Sequence, residues 1–137
     1  MNAIVFSWSG SFRDEFEQRE DDIAGFVAAM HDRDMEIGLV TDTGIGTVED
    51  RIDSDFEIPH VDDLSDVLAA LTTKYDKVFF VSDVPAELAT ANQSGAFTVG
   101  LASDENAAEN LSGVGPNYVI DTFDELEQIL RMEALDR

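Results

Sequence analysis

Residues Ile4 to Phe12 read IVFSWSGSF, and the sense of the whole chain turns on them. The apolar run Ala3-Ile4-Val5-Phe6 leads into hydroxyl residues at alternate positions, Ser7, Ser9 and Ser11, with Gly10 between the last two and Phe12 closing the stretch. A β-branched and aromatic run predicts a buried strand, and Gly10 supplies the backbone freedom that ends it. Side chains just past the carboxyl end of such a strand stand where α/β proteins place their chemistry.

Outward from this stretch the pattern repeats. Met35 to Thr41 (MEIGLVT) predicts a second strand, in which Gly38 allows close packing, and Phe56-Glu57-Ile58 a short edge strand stopped by Pro59. Lys77 to Ser82 (KVFFVS) is the most strand-like run and belongs in the centre, and Ala96 to Leu101 follows it. Between the strands, Ile23, Phe26, Val27 and Met30 recur at helical spacing behind Asp21 or Asp22. Leu64, Val67, Leu68 and Leu71 do the same behind Asp62 or Asp63. Val48 to Ile52 reads as a short helix and Glu87 to Gln93 as a longer one. Alternating strands and helices predict a three-layer α/β domain over residues 1–137. Its parallel sheet has about five strands in the order 5-4-1-2-3, with Ile4–Ser7, Ile37–Thr41 and Val78–Ser82 adjacent in the middle.

The charge narrows the partners. Thirty acidic residues stand against 8 basic ones, a net charge of -22, and Lys74 and Lys77 are the only lysines. The acids are spread through every segment. Self-repulsion of this size favours unfolding unless ions screen it, and at molar salt the screening length is about 3 Å. The expectation is a protein of a salt-rich, halophilic cytoplasm. Nucleic acid is not expected as a direct partner, since no basic patch is present to neutralise phosphates. No run approaches the ~20 apolar residues of a membrane helix, and no basic segment precedes a leader-like core, so no membrane association is expected. Cysteine is absent, which removes thiolate chemistry.

Two stretches together resemble the haloacid dehalogenase (HAD) superfamily. Its first motif is a hydrophobic strand followed by Asp-x-Asp-Gly-Thr-hydrophobic. The frame Ile4-Val5-Phe6-x-Trp8-x-Gly10-x-Phe12 is similar, with Ser7 and Ser9 where that family has its two aspartates and Ser11 where it has Thr. The stronger likeness is VFFVSDVPAELATANQSGAFTVGL, residues 78 to 101, which resembles the fourth motif: a strand, an acid, a second acid four positions on, a helix, and Gly95 before another strand. The resemblance implies a capless, Rossmann-like HAD fold. Asp83 and Glu87 become the metal-binding acids, and Thr41 the strand-end hydroxyl of the second motif. Ser11, Thr41 and Asp42 then surround a phosphoryl group. It also implies that Tyr118 to Asp121 is a last short strand, and that Thr122 or Asp124 caps a helix ending near Met132.

The chemistry departs from that pattern. The family's first aspartate attacks phosphorus, its second protonates the leaving group, and magnesium is held by carboxylates. A carboxylate is ionised and nucleophilic at neutral pH, and anionic oxygens satisfy a hard cation. Serines at positions 7 and 9 offer neither property without a base, and no histidine is near in sequence: His31 belongs to the first helix and His60 to a loop. The third-motif cation is also out of place, because His60, Val61 and Asp62 occupy its region, and Lys74 and Lys77 come later. Ser7 and Ser9 are therefore degenerate catalytic positions, and Asp83 with Glu87 a weak or absent magnesium site.

The leading expectation is a pseudo-phosphatase that serves as a binding, regulatory or structural module for a protein partner. The alternative is a magnesium-dependent phosphomonoester hydrolase with a rearranged acid set of Asp42, Asp83 and Glu87. Three further readings rank lower. A dinucleotide loop at Thr41–Thr47 lacks its third glycine, since Glu49 stands there. A receiver domain lacks a lysine after residue 77. Asp53, Asp55, Asp62 and Asp63 lack calcium-loop spacing and read as a solvated face.

Overall fold

The computed structural model describes residues 2–7, 20–32, 34–40, 55–58, 61–102, 105–121 and 123–132. Their strands are β1 (Asn2–Ser7), β2 (Met35–Val40), β3 (Phe56–Ile58), β4 (Val78–Ser82), β5 (Phe97–Leu101) and β6 (Tyr118–Ile120). Their helices are α1 (Glu20–Asp32), α2 (Leu64–Lys74), α3 (Pro85–Gln93), α4 (Glu105–Ser112) and α5 (Phe123–Leu130).

The strands form one sheet in the order β3-β2-β1-β4-β5-β6, and every pairing is parallel. This corrects the expected strand count and order. The sheet has six strands rather than about five, and its order closes with Tyr118–Ile120 paired outside Phe97–Leu101. That last strand is three residues long and stands at an edge, where a short run suffices because only one side needs a partner. The central trio is as the apolar runs predict, with β1 between β2 and β4.

Strand side chains alternate between faces, which builds two cores. Ile4, Phe6, Ile37, Leu39, Phe79 and Val81 pack against Phe26, Val27 and Met30 of α1 and Leu126, Ile129 and Leu130 of α5. Ala3, Val5, Val40, Val78 and Phe80 pack against Leu64 and Leu68 of α2, Leu88 and Ala91 of α3, and Leu111 of α4. The protein is thus a three-layer α/β structure, helices on both faces of the sheet. Burial on both faces explains why KVFFVS reads as a continuous apolar run instead of an alternating one. Edge-on aromatic contacts fix the first core: Phe6 meets Phe26 at 6.2 Å between ring centroids, and Phe79 meets Phe97 at 5.2 Å.

Helix starts depart from expectation in three places. Helix α1 begins at Glu20, so Asp21 and Asp22 stand inside its first turn instead of capping it. Asp63 holds the N-cap position of α2, but its side chain makes no capping hydrogen bond. Its backbone is already helical (φ -88, ψ 0), following a 3₁₀ turn over Val61–Asp63, so the side chain is not folded back over the first amides. Helix α3 begins at Pro85, two residues before the expected Glu87, because proline loses nothing at a first turn whose amides lack partners. At its other end Gly95 adopts φ +90, the left-handed conformation that stops a helix. The expected helix at Val48–Ile52 lies outside the described residues.

Candidate functional site

β1 and β4 run side by side with Phe6 opposite Val81, so their last residues, Ser7 and Ser82, end together at the carboxyl edge of the sheet. This is also the point where strand order reverses in sequence: β1 is flanked by β2 on one side and β4 on the other. Such a switch point leaves a crevice outside the strand ends in open α/β sheets. Both serines are buried, Ser7 at 2% exposure and Ser82 at 0%.

Glu87 reaches this edge from the first turn of α3. Ser7 Oγ donates a hydrogen bond to Glu87 Oε1, across eighty positions of sequence. Ser82 Oγ donates to the same oxygen at 3.1 Å. Ser82 Oγ in turn accepts the backbone N–H of Val84 at 3.0 Å, in the turn that leads into α3. Asp83 follows β4 directly and is half-buried at the same edge. The structure therefore brings together Ser7 and Glu87 from the sequence-predicted set, with Asp83 adjoining. Ser9, Ser11, Thr41 and Asp42 lie outside the described residues.

Ser82 is the member that sequence reading missed. It appears there only as the end of a strand. The signal available was a hydroxyl two residues before the N-cap Val84, a spacing at which side-chain oxygens commonly accept backbone N–H groups.

The described donors do not fit magnesium. That ion takes near-octahedral oxygen ligands at about 2.0–2.1 Å and favours carboxylates. Here one oxygen of the Glu87 carboxylate is already occupied by two hydroxyl protons. Among the described residues, no group of three or more His, Asp and Glu side chains is placed to hold an ion.

The lysines stand at the opposite edge. Lys77 immediately precedes β4, five residues before Ser82 and hence about 16 Å away along the strand. Its ammonium lies 5.0 Å from the Phe97 ring centroid and 5.7 Å from that of Phe79, and Lys74 lies 5.1 Å from the Tyr75 centroid. Both cations are thus associated with aromatic faces. Neither is placed to neutralise an anion beside Ser7.

His31 is also remote from Ser7. Its Nε2 pairs with Asp55 Oδ2 at 2.8 Å, beside Ile37, which stands three residues before the end of β2. Asp55 is consequently more than part of a solvated face. Its carboxylate accepts the Ile37 N–H at 2.7 Å, and its own N–H donates to the Ile37 carbonyl at 2.7 Å. Asp62 and Asp63 are exposed, and Asp53 lies outside the described residues.

A separate groove of about 360 Å³ opens beyond the ends of β5 and β6, with Ala102, Val119 and Ile120 in its floor and Glu105, Asp121 and Glu125 at its rim. Its carboxylates disfavour anions. Among the described residues, no helix is long and apolar enough to cross a membrane. Comparison with models of protein families gave no match, and comparison with curated proteins gave none.

Proposed function

We propose that the chain is a HAD-like pseudo-phosphatase: a module that keeps the parallel α/β frame, has lost phosphoryl transfer, and binds a protein partner in a salt-rich cytoplasm. The observation that carries this reading is the Ser7–Glu87 hydrogen bond. Two carboxylates facing each other across a strand end repel and need a cation between them. A hydroxyl facing a carboxylate needs none, because its own proton bridges the two oxygens. With serine at position 7, the edge is satisfied without metal, and the nucleophile and the cation are lost together.

The electrostatics support the same conclusion. A transferring phosphoryl group requires positive charge around its oxygens. The described lysines are at the far edge of the sheet, and the residues nearest Ser7 include Glu87 and Asp83.

The test is an aryl-phosphate assay with a magnesium titration, both in molar potassium chloride to keep the acidic chain folded. The expected result is no magnesium-dependent release of phosphate. Turnover that rises with magnesium and disappears in Glu87→Gln would overturn the proposal in favour of a hydrolase built on Asp42, Asp83 and Glu87.

A further inference from the structure

We infer that Ser82 is the specificity-determining residue of this edge: with Ser7 it occupies Glu87 Oε1 and so opposes the binding of a divalent cation through that oxygen. The inference rests on the reading above, in which Glu87 is the acid of the site, and extends it from Ser7 to a residue that reading does not need.

A carboxylate oxygen offers two lone-pair directions. Ser7 and Ser82 each direct a hydroxyl proton at Oε1, so both directions are taken. The Ser82 proton has little freedom to turn away, because its oxygen is fixed from the other side by the Val84 N–H. Ser82 is also fully buried, away from bulk solvent. A divalent ion binding Glu87 through Oε1 must displace both hydroxyl protons and leave a buried donor without an acceptor, which costs more than the loss of an ordinary exposed hydrogen bond. Ser82 therefore acts through Glu87 as a positioning residue, and it persists when Ser7 is replaced. Restoring an acid at position 7 alone frees only the direction that Ser7 held and leaves the Ser82 proton on the other.

The experiment compares Ser7→Asp with Ser7→Asp/Ser82→Ala by calorimetric titration of magnesium chloride in molar potassium chloride. Thermal melts at each metal concentration give a second readout. Removal of the Ser82 hydroxyl is expected to tighten magnesium binding by about tenfold, the equivalent of one net hydrogen bond. Ser7→Asp/Ser82→Thr, which keeps a hydroxyl, is expected to bind as weakly as Ser7→Asp alone. A general loosening of the fold would affect the alanine variant without this selective rescue. If the alanine variant does not fold, Ser7→Asp/Ser82→Gly makes the same comparison. Equal affinities with and without the hydroxyl overturn the inference, as does an absence of magnesium binding in every variant. Failure of the underlying reading is seen elsewhere, as magnesium-dependent phosphate release by the native chain.

Discussion

The ring of Phe56 fills the space that a side chain at Gly38 would need. A Cβ built on Gly38 would lie 2.2 Å from Phe56 Cε2 and 2.4 Å from its Cζ, and the two residues are register partners on β2 and β3. The atoms in the way belong to a rigid ring, so accommodation requires the whole Phe56 side chain to move. Gly38→Ala should destabilise the protein by about 1–3 kcal/mol, the usual cost of forcing extra volume into a packed contact. Gly38→Ala/Phe56→Leu should recover part of the loss. Denaturant unfolding of the single and double variants decides this, and strict additivity of their effects would exclude the contact as the cause.

This pair shows what was readable in the sequence and what was not. Glycine inside the apolar run MEIGLV signals close approach, but the residue that approaches it is eighteen positions away and was readable only as part of an edge strand. Apolar runs such as IVF and VFFV declare buried strands because both of their faces are covered. Helix α4 went unread: ENAAENLS has one fully buried residue, Leu111, and so presents no apolar period. At the site, Ser7, Glu87 and the adjacency of β1 and β4 were legible, but the hydrogen bond between the two side chains was not, because it depends on how far Glu87 reaches back from the first turn of α3. Ser82 was legible only as a hydroxyl placed to accept the Val84 N–H, whereas its bond to Glu87, five residues further on, was not.

A second prediction concerns a buried hydroxyl. Thr98 is fully buried, donates its Oγ1 proton to Asn92 Oδ1 at 2.7 Å and accepts the Asn117 N–H at 3.1 Å. Asn92 extends the network to the carbonyls of Val114 and Gly115 at 3.1 and 3.2 Å. Thr98→Val keeps the shape but removes the proton that the half-buried Asn92 Oδ1 accepts, while the Asn117 N–H keeps its bond to the Thr98 backbone carbonyl at 2.9 Å. The expected cost is about 1–3 kcal/mol. Chemical denaturation should show it, while amide exchange at Asn117 should change little, because its N–H still donates to the Thr98 carbonyl. Thr98→Ser keeps the hydroxyl for Asn92 Oδ1 and should cost less, and equal losses in the two variants would remove that hydrogen bond as the cause.

A third follows from Tyr75. Burial, then the hydrogen bond from its hydroxyl to Glu36 and the negative charges of Glu36 and Asp55, push its phenol from the ordinary 10.0 up to about 12. Between those values the folded chain keeps a proton that the unfolded chain has released. Stability is therefore independent of this group below pH 10 and falls as pH rises from 10 to about 12. Unfolding free energies measured across that window in molar potassium chloride should decline. Tyr75→Phe should flatten this part of the decline, and an unchanged slope in that variant would remove Tyr75 as its source.

A fourth concerns salt. With a net charge of -22, mutual repulsion of carboxylates opposes the folded state, and ions weaken it within a screening length of about 3 Å at 1 M. Thermal midpoints should rise markedly from dilute buffer to molar potassium chloride. Equal midpoints would contradict the proposed salt-rich setting.

The last prediction separates two functions of one carboxylate. Asp55 Oδ2 accepts the Ile37 N–H at 2.7 Å and meets His31 Nε2 at 2.8 Å, so it ties the start of β3 to β2 and to the last turn of α1. The backbone bond is partly buried. The His31–Asp55 pair has side-chain exposures of 25% and 37%, open enough for salt to screen its charge. Asp55→Asn keeps an oxygen for the Ile37 N–H and loses the charge, and exposed pairs typically contribute about 0–1 kcal/mol. Asp55→Ala loses the acceptor as well and leaves the Ile37 N–H unpaired, at a cost of about 1–3 kcal/mol. In molar potassium chloride the asparagine variant and His31→Ala should both lie close to the native protein, while the alanine variant at Asp55 stays destabilised. If asparagine and alanine cost the same at high salt, the backbone bond contributes nothing and β3 is held by its own ladder alone. If His31→Ala costs as much as Asp55→Ala, the imidazole rather than the Ile37 amide fixes the edge strand.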